Sequence, residues 1–275
     1  MAVDTLTGLS ASREREREAL DRLSRVHGPG ELHAALLALL LPLSPAASAN
    51  EAWYTETEGV ATATALRHEV VALGGPARLP CFEQLLERMA KHPLAVRQTL
   101  LESTRRLMRA TGTLRPIDRL HWLVMRLRLG ERAQFGARVP SGADLDQLGE
   151  IEVHAVARYS AYLSRMVPGT DDPDAGDDWY AGVMAPWQAR GIVPERRYPD
   201  ADALVQALQE LQALPWMLRP ALVRGWTSAA LRHARHGRLL DSAADALYLT
   251  AALLDSPLPP DLARHYAPML QSGPR

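Results

Sequence analysis

Apolar residues recur at helical spacing along most of the chain, and short breaks that contain Gly or Pro separate the runs. In residues 94–109, Val96, Leu100 and Leu107 repeat at intervals close to a helical turn, with arginines between them. This spacing predicts an amphipathic α-helix. Residues 31–41 consist mostly of Leu and Ala. A run that is apolar on all sides predicts a buried helix.

Gly and Pro also indicate where the helices end. Breaks are expected at residues 27–30, 74–76, 92–93 and 111–112. The composition of Ala49–Leu73 predicts helix, although its threonines favour helix less than Ala or Leu do.

The longest break, residues 131–149, contains four Gly or Pro residues and is the best position for a boundary. We therefore predict an N-terminal helical module at residues 1–135 and a C-terminal helical module at residues 150–275. Residues 136–149 would form a linker or long loop between them. One continuous domain is the alternative.

Two stretches, Leu85–Gly130 and Ala207–Pro260, share an order of features: a Leu-rich helix, a proline, a helix, a Gly turn and another helix. Each stretch is too small to bury its apolar face alone. We predict an all-α fold of roughly ten to twelve helices, in two related helical modules packed as one body. Chance similarity between helices rich in Leu, Ala and Arg is the alternative.

The second stretch contains LPWMLRPALV, followed by HGRLLDSAADALYLTAALLDSPLPP. This pattern resembles the C-terminal cytosolic region of bacterial HtpX-like membrane zinc metallopeptidases, where a helix, an Asp-Gly turn, an acidic residue and an LDxPxPP segment recur. The upstream features follow a similar order, so the resemblance extends over most of residues 30–262. The helix–Asp-Gly–helix unit also resembles TerB-like modules of tellurite resistance.

The chain departs from both families at their functional residues. The peptidases carry HExxH, whereas here His68-Glu69 is followed by Ala72 in place of the second His. The turn Asp of TerB-like modules is replaced by Thr111 in the first stretch and by His236 in the second. The resemblance therefore implies a stand-alone, non-proteolytic relative and transfers no functional residue.

Composition narrows the classes of partner. The net charge of −1 and the pI near 6.8 do not favour nucleic acid, whose partners usually carry a net basic field. The most apolar stretch, Leu32–Leu43, is shorter than the roughly 20 residues that span a bilayer. Cys81 is the only cysteine, and we expect a small core residue there. A cytoplasmic protein without membrane insertion or secretory signal is expected.

Two groups of residues are candidate cation ligands. An acidic cluster occupies residues 171–178, but Gly176 and Asp177 stand out of register for a calcium loop. His233 and His236 are three residues apart on a helix, and two imidazoles are too few for a structural zinc. We expect no metal and no cofactor, and keep a cation-responsive module as an alternative.

Two sets of side chains are candidate contact surfaces. The interaction surface that we predict consists of Asp171, Asp172, Asp174, Asp177, Asp178, Trp179 and Trp187. The first module is locally basic through Arg105, Arg106, Arg109, Arg115, Arg119, Arg126, Arg128 and Arg132. Among these arginines only Trp122 is a nearby aromatic residue, so solvated helix faces are the first interpretation and an anion or nucleic-acid surface is an alternative.

The function that the sequence favours is a non-catalytic cytosolic protein-interaction or regulatory scaffold. Helical architecture without a recognised catalytic motif supports this hypothesis. The expected partner is another protein, and the resemblance suggests a membrane peptidase or a secretion component.

Overall fold

A computed structural model of the chain describes residues 2–130, 144–169, 174–188, 190–192, 194–234 and 237–270, with side chains within residues 11–266 of these ranges. These residues form an all-α structure, which confirms the predicted fold class. The helices are α1 (Ala2–Ser24), α2 (Pro29–Leu40), α3 (Ala47–Glu56), α4 (Ala63–Ala72), α5 (Gly75–Met89), α6 (Leu94–Ala110), α7 (Pro116–Leu129), α8 (Glu150–Leu163), α9 (Ala175–Gln188), α10 (Ala201–Gln212), α11 (Leu218–Arg232), α12 (Asp241–Leu253) and α13 (Pro260–Leu270).

The helices belong to two compact units, divided between residues 131 and 132. The first unit contains α1–α7, and the second contains the helices from Glu150 to Pro268 together with a 3-10 turn at Leu145–Gln147. The predicted linker overlaps this turn. Its residues 136–143 lie outside the described part of the chain. None of the described helices is both long enough and apolar enough to cross a membrane.

Helix α2 forms the centre of the first unit. All residues from Ala34 to Leu41 are buried, and α3, α4, α5 and α6 pack around the helix. A helix with no polar face is stable in water only when neighbours cover every side. The predicted buried helix at residues 31–41 is thus confirmed.

Residues 49–73 form two helices, α3 and α4, and not one continuous segment. Gly59 has a φ of 85° between them, a left-handed conformation that stops a helix. The Thr57 hydroxyl donates to the Trp53 carbonyl oxygen at 2.8 Å and so satisfies one acceptor at the end of α3. Thr57 therefore acts at the break.

A network of buried hydrogen bonds joins four helices of the second unit. The indole N–H of Trp226 on α11 donates to the Ser160 hydroxyl of α8 at 2.9 Å. The hydroxyls of Tyr159 on α8 and Thr250 on α12 lie 3.1 Å apart. The indole N–H of Trp179 on α9 donates to the Trp226 carbonyl oxygen at 3.3 Å. The two indole N–H groups and the three hydroxyls of this network all have partners, so the network fixes the packing without leaving one of its donors unsatisfied.

The order of features predicted for the two related stretches is present in both units. In the first unit, Pro93 lies between α5 and α6, and Gly112 lies between α6 and α7. In the second unit, Pro215 lies between α10 and α11, and Gly237 lies between α11 and α12. Gly112 and Gly237 both have positive φ, 79° and 66°. Gly112 directly follows the C-cap of α6, as helix-ending glycines commonly do, whereas Gly237 lies four residues after the C-cap of α11. The neighbours differ, since α5 packs on α7 whereas α10 packs on α8.

Arginine side chains satisfy the carbonyl groups at the ends of several helices. The guanidinium of Arg78 donates to the carbonyl oxygens of Leu39, Leu41 and Val70 at 3.0, 2.9 and 3.1 Å. Similar contacts join Arg88 to Leu23 and Val26, Arg97 to Leu129, Arg190 to Asp146 and Leu148, and Arg219 to Leu214 and Leu254. The last carbonyls of a helix lack intrahelical partners and carry partial negative charge, which suits a cation with five N–H donors.

We expect Arg78→Lys to lower the free energy of unfolding by about 2 kcal/mol. A single ammonium group cannot reach all three carbonyl oxygens that the guanidinium binds, so part-buried carbonyls would be left without a hydrogen bond. Urea denaturation of the full chain measures the change. Arg128→Lys is the matched control on the exposed surface of α7 and should change stability by less than about 0.5 kcal/mol. Equal effects of the two substitutions would contradict the role of Arg78.

Candidate functional site

The acidic cluster lies partly at the start of a helix. Asp177 and Asp178 stand in the first turn of α9, which begins at Ala175. Negative charge is favourable at this end of a helix. Asp177 forms an ion pair with Arg196, so one carboxylate of the predicted surface is already neutralised within the unit. Asp171 and Asp172 lie outside the described residues.

Trp179 and Trp187, predicted as contact residues, are interior side chains. Trp179 is 0% exposed and Trp187 is 2% exposed. Trp187 donates its indole N–H to the Leu145 carbonyl oxygen at 2.8 Å and so holds the 3-10 turn against α9. The prediction that these two rings lie on an interaction surface is wrong, because their apolar area is used for packing within the second unit.

Only one of the two candidate histidines, His233, lies within the described residues. His233 caps the C-terminal end of α11, and His236 lies outside the described residues. The nearby carboxylates serve α13: Asp245 accepts a hydrogen bond from the Tyr266 hydroxyl at 2.7 Å, and Asp241 lies 3.3 Å from the His265 ring nitrogen. Across the described part of the chain, His, Cys, Asp and Glu form no group of three that could hold a metal ion.

Glu69 and Cys81 take part in contacts or packing within the first unit. Glu69, next to His68, pairs with Arg22 of α1 at 2.9 Å. Cys81 is buried, and burial raises the pKa of its thiol to about 12. A thiol that stays protonated at pH 7 is a poor nucleophile, which agrees with the prediction of a small core residue.

His121 is a packing residue of α7. Its Nδ1–H donates to the Ile117 carbonyl oxygen at 3.1 Å, and its ring meets the Phe82 ring edge-on at 5.1 Å. Burial lowers the pKa of His121 to about 4, although the hydrogen bond to Ile117 opposes this shift. The imidazole is therefore neutral at pH 7.

A cavity of about 110 Å³ lies among the ends of α2, α3 and α6 in the first unit. Its polar wall includes Arg115 and Asp118, which bind each other at 2.6 Å, and its other walls are mainly apolar. Sites for organic ligands typically enclose about 300–1,000 Å³. The cavity is too small for such a ligand, and its one carboxylate is already paired.

The basic residues of the first unit have different environments. Arg106 forms a two-point ion pair with Glu56 at 2.5 and 2.8 Å. The Arg105 guanidinium lies over the Trp122 ring, 4.9 Å from its centre. Arg132 lies outside the described residues. In the described structure, ion pairs do not involve Arg109, Arg119, Arg126 or Arg128.

The most exposed tryptophan of the second unit is one that the sequence did not single out. Trp216 is 77% exposed and Met217, beside it, is 55% exposed. The flanking residues Leu214 and Leu218 are each only 4% exposed, so the turn is anchored on both sides. The sequence did contain one signal for this exposure. Trp216 directly follows Pro215 at a break between two helices, and a residue in such a break belongs to the apolar face of neither helix.

Polar contacts hold the backbone on both sides of Trp216. Arg219 donates from Nε to the Leu214 carbonyl oxygen at 2.9 Å and from Nη1 to the Leu254 carbonyl oxygen at 3.4 Å. Gln212 donates to the Leu253 carbonyl oxygen at 2.7 Å. The turn between α10 and α11 is therefore tied to the end of α12, and the Trp216–Met217 pair projects from a fixed support.

Comparison with known proteins identifies no relative: no family model, no curated protein and no solved structure matches this chain. The resemblance to HtpX-like peptidases and to TerB-like modules therefore stays a prediction.

We expect His121→Gln to flatten the pH dependence of stability in acid. The unfolded imidazole binds a proton near its ordinary pKa of about 6.5, whereas the folded one binds only near pH 4. The free energy of unfolding of the native chain should therefore decline as the pH falls through this window, by roughly 2–3 kcal/mol at pH 4.5. Urea denaturation between pH 7 and pH 4.5 tests this. The exposed His68→Gln variant should keep the native profile, and parallel profiles for all three chains would refute the assignment.

The difference between interior and exposed tryptophans gives a second test. Trp179→Ala should lower the free energy of unfolding by roughly 3–5 kcal/mol, because it leaves a large cavity beside Trp226. Trp216→Ala should change it by less than about 0.5 kcal/mol. A Trp179→Ala chain as stable as the native one would show that this ring does not belong to the core.

Proposed function

We propose that the protein is a non-catalytic protein-interaction or regulatory module, and that Trp216 and Met217 form its main contact with a partner protein. The observation that carries the proposal is the 77% exposure of Trp216 on a turn whose neighbours are buried. A large aromatic ring left in water costs hydrophobic free energy that a partner can recover.

The chemistry of the pair suits protein recognition. Tryptophan is among the residues enriched at the energetic centres of interfaces, since it buries a large area and loses little conformational entropy. Methionine adapts to irregular apolar surfaces because it is unbranched and polarizable. The two side chains together offer a rigid anchor and an adaptable neighbour.

The hydrogen bonds that hold the turn between α10 and α11 favour a role of Trp216 in binding. The hydrogen bonds from Arg219 and Gln212 fix the backbone before a partner arrives, so little ordering entropy remains to be lost on association. A stable complex buries about 800 Å² on each partner, more than two side chains supply. We therefore propose a contact in which this pair is the centre and surrounding polar residues form the rim.

The partner that we propose is a protein of the cytoplasm or one with a cytoplasmic face. A membrane peptidase or a secretion component is the class that the sequence resemblance suggests.

Affinity capture from the native host with the full chain tests the proposal. We expect one partner in near-stoichiometric amount, and we expect the Trp216→Ala, Met217→Ser double variant to retain less than about one tenth of it, as loss of an interface hot spot predicts. Ile151→Ser is the matched control, since Ile151 is an apolar residue of the same unit that is 53% exposed.

The thermal midpoints of the three chains should agree, because none of the three substituted positions contributes to the core. The proposal fails if the native chain captures no stoichiometric partner, or if the double variant and Ile151→Ser retain the partner equally. Sedimentation analysis of the purified native chain tests whether the protein dimerises. If it does, and if Trp216→Ala abolishes the dimer, the pair serves self-association and the proposed contact with a different protein is wrong.

A further inference from the structure

We propose that α6 and α7 carry a second binding surface, specific for an acidic, carboxylate-rich segment of another protein. The surface consists of Arg105 and Arg109 on α6 and Arg119, Trp122 and Arg126 on α7, and is called here the arginine surface. It belongs to the first unit, whereas Trp216 and Met217 belong to the second.

Helix geometry places these residues together. Arg105 and Arg109 are four residues apart and therefore lie on one face of α6. Arg119, Trp122 and Arg126 follow one another at intervals of three and four residues and therefore lie on one face of α7. The two helices pack against each other. The 4.9 Å approach of the Arg105 guanidinium to the centre of the Trp122 ring joins the two faces.

Most of the positive charge on this surface is not neutralised by the described residues of the unit. Residues 94–129 contain eight arginines but only two carboxylates, Glu102 and Asp118. Asp118 is held by Arg115. Arg109 and Arg126 are exposed, Arg119 is half-buried, and the ion pairs of the described residues include none of the three. An anionic group can therefore reach them without displacing an internal partner.

The surface is partly organised before binding. Stacking on Trp122 restricts the long Arg105 side chain and leaves the edge of its guanidinium free to donate hydrogen bonds. A guanidinium presents a planar fork that matches the two oxygens of a carboxylate. Arg105 therefore loses less conformational entropy on binding than an unrestrained arginine would.

The size of the surface favours a short acidic protein segment over a nucleic acid. Arg119 and Arg126 are seven residues apart, or about 10 Å along the helix axis. A longer polyanion would extend beyond this patch. The Trp122 face that bases would need for stacking is covered by Arg105. The chain as a whole has a net charge of −1, so no broad basic field attracts a phosphate backbone.

Fluorescence anisotropy with the full chain tests the proposal. The probe is a fluorescein-labelled octapeptide of alternating Glu and Gly, and its uncharged counterpart contains Gln in place of Glu. At about 50 mM NaCl, where screening is weak, we expect the Glu peptide to bind at least about tenfold more tightly than the Gln peptide, and we expect added salt to reduce the difference.

Variants of exposed arginines then locate the site. Arg126→Gln should weaken binding of the Glu peptide about threefold, and the Arg109→Gln, Arg126→Gln double variant about tenfold, as expected for surface ion pairs. Arg128→Gln is the matched control, because Arg128 is an exposed, unpaired arginine of the same helix that points to another side. It should change the affinity less than about 1.5-fold.

Three results would overturn the proposal. The first is equal binding of the Glu and Gln peptides. The second is an Arg128→Gln effect as large as that of Arg126→Gln, which would indicate nonspecific charge attraction. The third is tighter binding of an oligothymidine of equal charge, or of vesicles containing phosphatidylserine, which would assign the surface to nucleic acid or to lipid. None of these results bears on the Trp216–Met217 contact, which is tested by its own variants.

Discussion

The first unit depends on one constraint: α2 has no face that water can cover. Its side chains from Ala34 to Leu41 are all buried, so neighbouring helices must surround it. Four helices do so, and the chain breaks at positions that allow them to turn back toward α2. The C-terminal carbonyls of α2 are buried by the same packing. Arg78 supplies the hydrogen bonds that burial removes from water, and it links the end of α2 to the end of α4.

The sequence was sufficient to predict the helices but not all of their ends. Periodicity and the Gly and Pro breaks identified α2, α6 and α7 because these signals act locally. The break between α3 and α4 was missed, since Gly59 alone is a weaker signal than a Gly-Pro pair and depends on the positive φ that the fold imposes there.

Surface features were harder to predict than helices. Trp179, Trp187 and Trp216 are the same residue type in similar apolar surroundings, yet the first two are interior and the third is 77% exposed. Exposure depends on which neighbours cover a side chain, and that information is not local in sequence. The arginines of α6 and α7 posed the same problem. Their number was visible in the sequence, but only the packing of the two helices shows that Arg106 is paired, that Arg105 stacks on Trp122 and that Arg126 is unpaired.

The use of arginine at helix ends has a consequence for chemical modification. The chain contains thirty arginines and a single lysine, Lys91, which is exposed. Acetylation, ubiquitination and amine-reactive labels act on lysine, so Lys91 is the one side chain through which these reactions can alter the protein. The guanidinium contacts that join helix ends stay charged at every physiological pH and lie outside the reach of that chemistry. A label on Lys91 therefore leaves the guanidinium contacts that join helix ends chemically unchanged.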